Sequence, residues 1–388
     1  MKWVLLLDYF KACTKQECWG LIILVPFIAF VLFFVQKRYF PNVLVDTSSA
    51  AAVMAGGIFI NGALTQIAYL NLIEDFLALL LSICWFYLAY VFVHSAVTKQ
   101  FSIKHLQAPL QVFGIGTWVA ATSVFCIVQY LHYPSARSWT FVLAVGNFFL
   151  WLVYLYLIMV RIKQFVVRKH YRNVHGIILL TTVSTQSIVI MNAVVFPERI
   201  PTSLQIGLFS LGILFYIGGV VLIVKRYIRD RGWSLADDWK NTNCIVHGAV
   251  SISGVAGIKS GILSMDVAFW FWIWALTFFI IVEVIEIVRA HKRIRLYGLQ
   301  EGIGRYHVSQ WSRNFTIGMF LFFTITLDMT QIQHHIGWFY ETVQRDFLIV
   351  GPWLVLGLLT IECILFLKGN LDQLLESSGT QFQKSKGL

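Results

Sequence analysis

The sequence predicts an all-α, polytopic membrane protein in which five helical hairpins surround a central pore, with one extra span before them. Three observations carry that expectation. The 388-residue chain is 58% apolar, 16% aromatic and only 13% charged, far from the composition of a soluble domain. Its apolar runs approach the length of about 20 residues that a helix needs to cross about 30 Å of hydrocarbon, and they lack the alternation of barrel strands. The runs also take turns in character: a small, polar-speckled one is followed by a bulky, aromatic one.

Residues 1–17 are too short and too interrupted by Asp8, Lys11 and Lys15 to span, and no small-residue cleavage site follows them. The first expected span is 18–35, ended by Lys37, Arg38 and Pro41. Pairs follow: 47–71 with 75–97, 107–131 with 139–160, 175–196 with 204–224, 244–264 with 267–288, and 312–331 with 346–367. That makes eleven spans within three regions: 1–44 with the extra span, 45–368 as the five-hairpin domain, and 369–388 as a tail. The first members of the pairs recur every roughly 60 to 70 residues, which is one supersecondary unit used five times.

Twenty-residue windows on the first members (47–66, 111–130, 175–194, 244–263, 312–331) hold 28 Ser, Thr, Asn or Gln, against six in the second members (75–94, 141–160, 205–224, 268–287, 349–368). Aromatics run the other way, nine against 24. Polar groups are costly against lipid tails, so the first members are expected inside and the second outside. Polar residues that merely join helices could explain one such helix; five in alternation favour a solute path.

Lysine and arginine set the expected orientation. The connections from a second member to the next first member carry Lys99 and Lys104, then Arg161, Lys163, Arg168, Lys169 and Arg172, then Lys225, Arg226, Arg229, Arg231 and Lys240, then Arg289, Lys292, Arg293, Arg295, Arg305 and Arg313. These loops and the tail are expected in the cytoplasm of a cell-membrane protein, and the short turns near Arg137, Arg199 and Arg345 outside. The net charge of +11 is therefore mostly a topology signal. No soluble module is present to bind nucleic acid, and no G-x-x-x-x-G-K-[ST] phosphate loop points to ATP. The six cysteines (Cys13, Cys18, Cys84, Cys126, Cys244, Cys363) form no C-x-x-C pair, so neither metal nor cofactor is expected.

Candidate lining residues are Gly116, Thr117 and Ser123 on the second inner helix, Thr181, Ser184, Thr185 and Gln186 on the third, and His247, Ser251 and Gly254 on the fourth, with Thr316 on the fifth. Hydroxyls and backbone near glycine can bond an anion without trapping it. Lys259 stands at the outer mouth or snorkels to the interface. His175 and His247 are expected as hydrogen-bonded residues that open their helices. Glu283 and Glu286 either relay protons or pair with Arg289 and Lys292 at helical spacing, and Glu362 shares that ambiguity.

This organisation resembles the tellurite-resistance/dicarboxylate transporter family, which includes slow-type anion channels, malate permeases and sulfite exporters. The likeness covers about residues 45–368, and its carriers are QVFGIGTWVAATSV (111–124), NCIVHGAVSISG (243–254) and RNFTIGMFLFFTITL (313–327). The chain departs from the family in its extra first span and in having few inner-helix prolines. The resemblance implies passage of a small anion such as a C4-dicarboxylate, sulfite, tellurite or an inorganic ion, by a channel or a proton-linked carrier, without enzymatic activity and in a possible trimer. It also implies a phenylalanine plug on the last inner helix; Phe320 and Phe323, near mid-membrane on or near a polar stripe with Ser312, Thr316 and Thr330, are the candidate gate.

Two other classes compete. A lipid-handling or scaffold protein would have its inner helices packed shut. A membrane desaturase is suggested by Gln331-Ile332-Gln333-His334-His335 and by His170 with His175, but the orientation separates those histidines across the membrane and a further H-x-x-H-H box is missing.

Overall fold

The computed structural model describes residues 19–39, 45–168, 173–230, 232–332 and 338–386, with side chains defined except at 19–22, 71, 163–168 and 372–386. All regular structure among them is helical. The main helices are α1 (Trp19–Tyr39), α2 (Ala51–Asn61), α3 (Glu74–Val97), α4 (Gly116–His132), α5 (Arg137–Arg168), α6 (Leu180–Val195), α7 (Thr202–Arg229), α8 (Ile245–Lys259), α9 (Met265–Gly302), α10 (Gln310–Thr326) and α11 (Trp338–Lys386).

Eight described segments are long and apolar enough to cross a membrane; they contain α2, α3, α4, α6, α7 and α9 and the first parts of α5, to Ile162, and α11, to Leu371. Helices α8 and α10, at 15 and 17 residues, are shorter than the spans expected at 244–264 and 312–331. A 15-residue helix rises only about 22 Å. Helix α8 can be short because its sides meet protein: every residue from Ile245 to Gly257 is buried.

Tight turns open most of the polar helices: Thr47–Ala50 before α2, Gln111–Gly114 before α4, Gly176–Leu179 before α6 and Asn241–Cys244 before α8. The Asp46 carboxylate accepts from the Ser48 N–H at 2.7 Å and caps the first of them. The expected helix 47–71 breaks at Gly62, where a Cβ would meet the Ile58 carbonyl oxygen at 2.9 Å and Phe322 of α10 at 3.4 Å. The chain then continues through 3₁₀ turns to Ile73. At the other extreme, α9 outruns its expected end at 288, bending at Gly298 with φ 77°, and α11 continues as helix far into the expected tail.

The five polar helices touch in a closed cycle: α2 against α4, α4 against α6, α6 against α8, α8 against α10, and α10 back against α2. Partners across these seams lie one sequence repeat apart: 64 residues for Ser123 and Ser187, 67 for Gly176 and Asn243, 68 for Asn241 and Ser309. Equivalent residues of successive units therefore sit at matched depth on parallel helices. The seams close on small residues, as in other bundles where helices lack a hydrophobic drive to associate in lipid. Gly57 faces Val124, Gly116 faces Leu180, Gly248 faces Thr316 and Gly318 faces Ile58, each too close for a Cβ without a shift.

Each of α3, α5, α7, α9 and α11 packs on the polar helix that precedes it, and α1 lies along α3. Burial follows the same alternation. The segments of α2, α4 and α6 are 72%, 94% and 83% buried, whereas the other five fall between 22% and 33%. The excess of aromatics on the second members is thus a surface property, and the excess of hydroxyls on the first members is an interior one.

Candidate functional site

The interior polar side chains are mostly engaged by protein. Thr117 donates to the Gly114 carbonyl at 2.7 Å, Thr181 to Ile178 at 2.8 Å, Ser184 to Thr181 at 3.1 Å, Ser251 to His247 at 2.8 Å and Thr316 to Arg313 at 3.1 Å. These bonds back to the preceding turn satisfy hydroxyls without fixing a ligand. Ser123 accepts from Asn147 of α5 at 2.9 Å and from Ser187 of α6 at 3.2 Å, which ties three helices. Gln186 lies on Gly212 of α7 and donates to the Phe209 carbonyl at 3.0 Å.

A repeated clasp involves Thr185. It accepts the indole N–H of Trp151 at 3.1 Å, Thr122 accepts that of Trp85 at 3.1 Å, and Thr324 accepts that of Trp272 at 3.0 Å. Each threonine also donates to the carbonyl four residues earlier. In each clasp a tryptophan of one hairpin holds the polar helix of the next. Thr185 is therefore turned toward α5. The sequence signal that could have found its partner is the recurrence of tryptophan on the second members, three of them followed, 34 to 52 residues later, by a threonine on the next first member.

The two candidate gate residues, both fully buried, face different neighbours. Phe320 stacks on Phe279 at 4.9 Å and on Trp272 at 6.1 Å, and meets Phe347 edge-on at 5.0 Å, so it fills the space between α10, α9 and α11. Phe323 lies across Gly254 of α8, where the missing side chain makes room for its ring. Gly116 is likewise a point of close approach, with the Tyr154 hydroxyl at 2.7 Å and the Leu180 carbonyl oxygen at 2.9 Å from where a Cβ would stand. Lys259 ends α8 and is exposed.

The basic ends of α8, α9 and α10 meet at a charged cluster. Arg313 donates to Glu283, and the other carboxylate oxygen of Glu283 lies 4.0 Å from His247 Nε2. His247 is completely buried, its ring edge-on to Phe279 at 5.2 Å, and neither ring nitrogen has a hydrogen-bond partner among the described residues. Beside it, Glu286 takes the Trp239 indole N–H at 2.8 Å and pairs with Arg289 at 3.2 Å, the i,i+3 pairing expected for it. The Glu283–Arg313 pair escaped sequence reasoning because it joins residues 30 apart on different helices.

The histidine that opens the third polar helix behaves differently. His175 Nδ1 lies 2.7 Å from the Thr242 hydroxyl and 3.4 Å from the Ile177 nitrogen, the helix-opening role expected of it. Burial, with the charges of Arg226 and Lys240, pushes it down to about 3, so it is neutral. His105, in the turn after α3, bridges Thr47 at 2.9 Å and Ser95 at 3.2 Å. Burial and Lys104 hold it below the ordinary imidazole range, partly offset by Asp46.

Among the described residues no group of His, Cys, Asp or Glu is placed to hold a metal ion. His170, Gln333, His334 and His335 of the desaturase-like pattern lie outside the described residues. No family model matches the chain, and no curated protein matches it. Among the described residues the protein is helical, with eight segments long and apolar enough to cross a membrane and with a polar interior; its function is inferred from that architecture.

Proposed function

We propose that the chain passes small anions across a membrane along the axis of the ring made by α2, α4, α6, α8 and α10. The observation that supports this most is the closed cycle of parallel, buried, hydroxyl-rich helices screened by aromatic ones. Helix axes about 8–10 Å apart in a five-membered ring stand about 7–8.5 Å from its centre, and a helix with side chains takes up about 5–6 Å of that. The remaining radius of about 2 Å matches a small ion in single file; in this structure it is filled, since Thr117, Ser123, Thr185, Ser251, Phe320 and Phe323 are all fully buried, so passage requires interior side chains to move. Resemblance to the tellurite-resistance/dicarboxylate transporters supplies the preference for anions and the possible trimer, and the basic end is read as cytoplasmic. Phe323, against Gly254, is the better gate; Phe320 belongs to an aromatic stack with the outer helices.

A second reading, a non-transporting scaffold, draws on the capture of Thr185, Ser123 and Gln186 by neighbouring helices. Flux separates the two. Liposomes holding the purified protein or its Phe323→Ala variant are tested with chloride, nitrate, sulfite and malate. Transport of any of them that rises in the variant supports the anion path, and no flux in either protein sinks it.

A further inference from the structure

We propose that His247 is a proton-binding site, reached from the basic end through Glu283, whose occupancy loosens the hold of α9 on α10. Its consequence for flux rests on the transport reading above; proton binding itself does not.

The geometry is unusual for the interior of this protein. Buried polar atoms are normally paired. Here four that lack a hydrogen bond among the described residues belong to one linked group: both ring nitrogens of His247, one oxygen of Glu283, and Nε of Arg313. His247 is the innermost group, with 0% of its side chain exposed, while Glu283 and Arg313 keep 16% and 34% and so touch the surface at the basic end. A proton can thus arrive by way of the Glu283 carboxylate, whose free oxygen is 4.0 Å from Nε2.

The charge balance then changes. Neutral His247 makes no demand on Glu283, which is held by Arg313. An imidazolium in the same fully buried place needs a carboxylate, and Glu283 is the one within reach. Two cations compete for one anion, so Glu283 is drawn about 1 Å toward His247 and its grip on Arg313 weakens. The other titratable groups nearby are Cys244 at the start of α8, Glu286 and Arg289 on α9, and on α7 Arg226 and Tyr227, whose hydroxyl accepts from Asn243 at 2.8 Å. Glu286 is already occupied by Trp239 and Arg289, which leaves Glu283 as the acceptor. Arg313 lies in the first turn of α10, the helix that carries Phe323, so the exchange reaches the candidate gate through one rigid element.

The test uses the whole protein and its His247→Gln and Glu283→Gln variants in liposomes and in lipid nanodiscs. Flux is followed as the pH on each face is varied separately between about 4 and 8, a range that reaches below the ordinary imidazole value of about 6.5 because burial disfavours the charged ring. The expected result is a several-fold pH dependence from one face only, which is lost in His247→Gln whatever the absolute flux of that variant. An unaltered pH profile in His247→Gln overturns the proposal and leaves the transport reading standing. Absence of flux in all three sinks the transport reading and leaves the nanodisc arm to decide: the difference in unfolding temperature between native protein and His247→Gln must change with pH, and a constant difference overturns the proton site. Glu283→Gln serves if His247→Gln fails to fold, with the same loss expected.

Discussion

The ring of Phe323 occupies the place where a side chain on Gly254 would stand. Two neighbouring helices of the interior ring are thereby matched, bulk to absence of bulk, at one level. Adding a methyl group in Gly254→Ala forces the ring to move. Overpacking of this kind costs about 1–3 kcal/mol, and the displaced ring changes flux if Phe323 stands on the path. Unfolding in bicelles, run beside the liposome assay, checks both; an unchanged flux with lowered stability assigns Phe323 to packing alone.

Phe320 is expected to show the opposite balance. Its contacts with Phe279, Trp272 and Phe347 place it in an aromatic stack between three helices. Phe320→Ala should cost about 3–5 kcal/mol, as other buried aromatic truncations do. Flux per folded molecule should stay near that of the native protein. An increase in flux without loss of stability would return Phe320 to the gate.

The Trp272–Thr324 bond can be weighed by a double-mutant cycle with Trp272→Phe and Thr324→Val. Net coupling of about 1 kcal/mol is expected, in line with interhelical hydrogen bonds in membranes. The same cycle at Trp151 and Thr185 should give a similar value, since the distances are 3.0 and 3.1 Å. A coupling near zero at both would show that the indole is positioned by shape and not by its N–H.

Acid should weaken the junction at His105. Its affinity for protons is depressed in the folded state by burial and by Lys104. The unfolded chain, with an imidazole pKa of about 6.5, binds the proton more readily, so stability is constant above that value and falls as pH drops below it. His105→Gln, which retains a donor and an acceptor for Thr47 and Ser95, should flatten part of that fall. His175, pushed down to about 3, contributes to the same acid limb. Thermal unfolding across that range measures the slope, and an equal slope in native protein and variant would rule His105 out.

Much of this architecture could be read before any coordinates. The period of the repeat, the inside and outside sets and the basic end follow from composition, because lipid penalises polar groups and tolerates aromatics. The direction in which each hydroxyl points could not be read. Thr185 and Thr181 share a polar belt in the sequence, yet one is held by a tryptophan of α5 and the other only by its own helix. Helical spacing fixes which residues share a face, and leaves open whether that face meets a neighbour or the ring's centre. Glu283 illustrates the same limit: no basic residue stands three or four places from it on its own helix, and the fold brought Arg313. The lengths of α8 and α10 were overestimated for a related reason, since a helix surrounded by protein need not match the bilayer.

The clasps also bear on how such a chain is made. Trp85, Trp151 and Trp272 each wait on a hairpin whose own polar helix cannot supply the acceptor; that comes with the hairpin synthesised next. Three of the five hairpins are thus completed by their successors. The seam between α10 and α2 can form only once nearly the whole chain has entered the bilayer, so a ribosome that stops early leaves an open arc with its polar edge facing lipid.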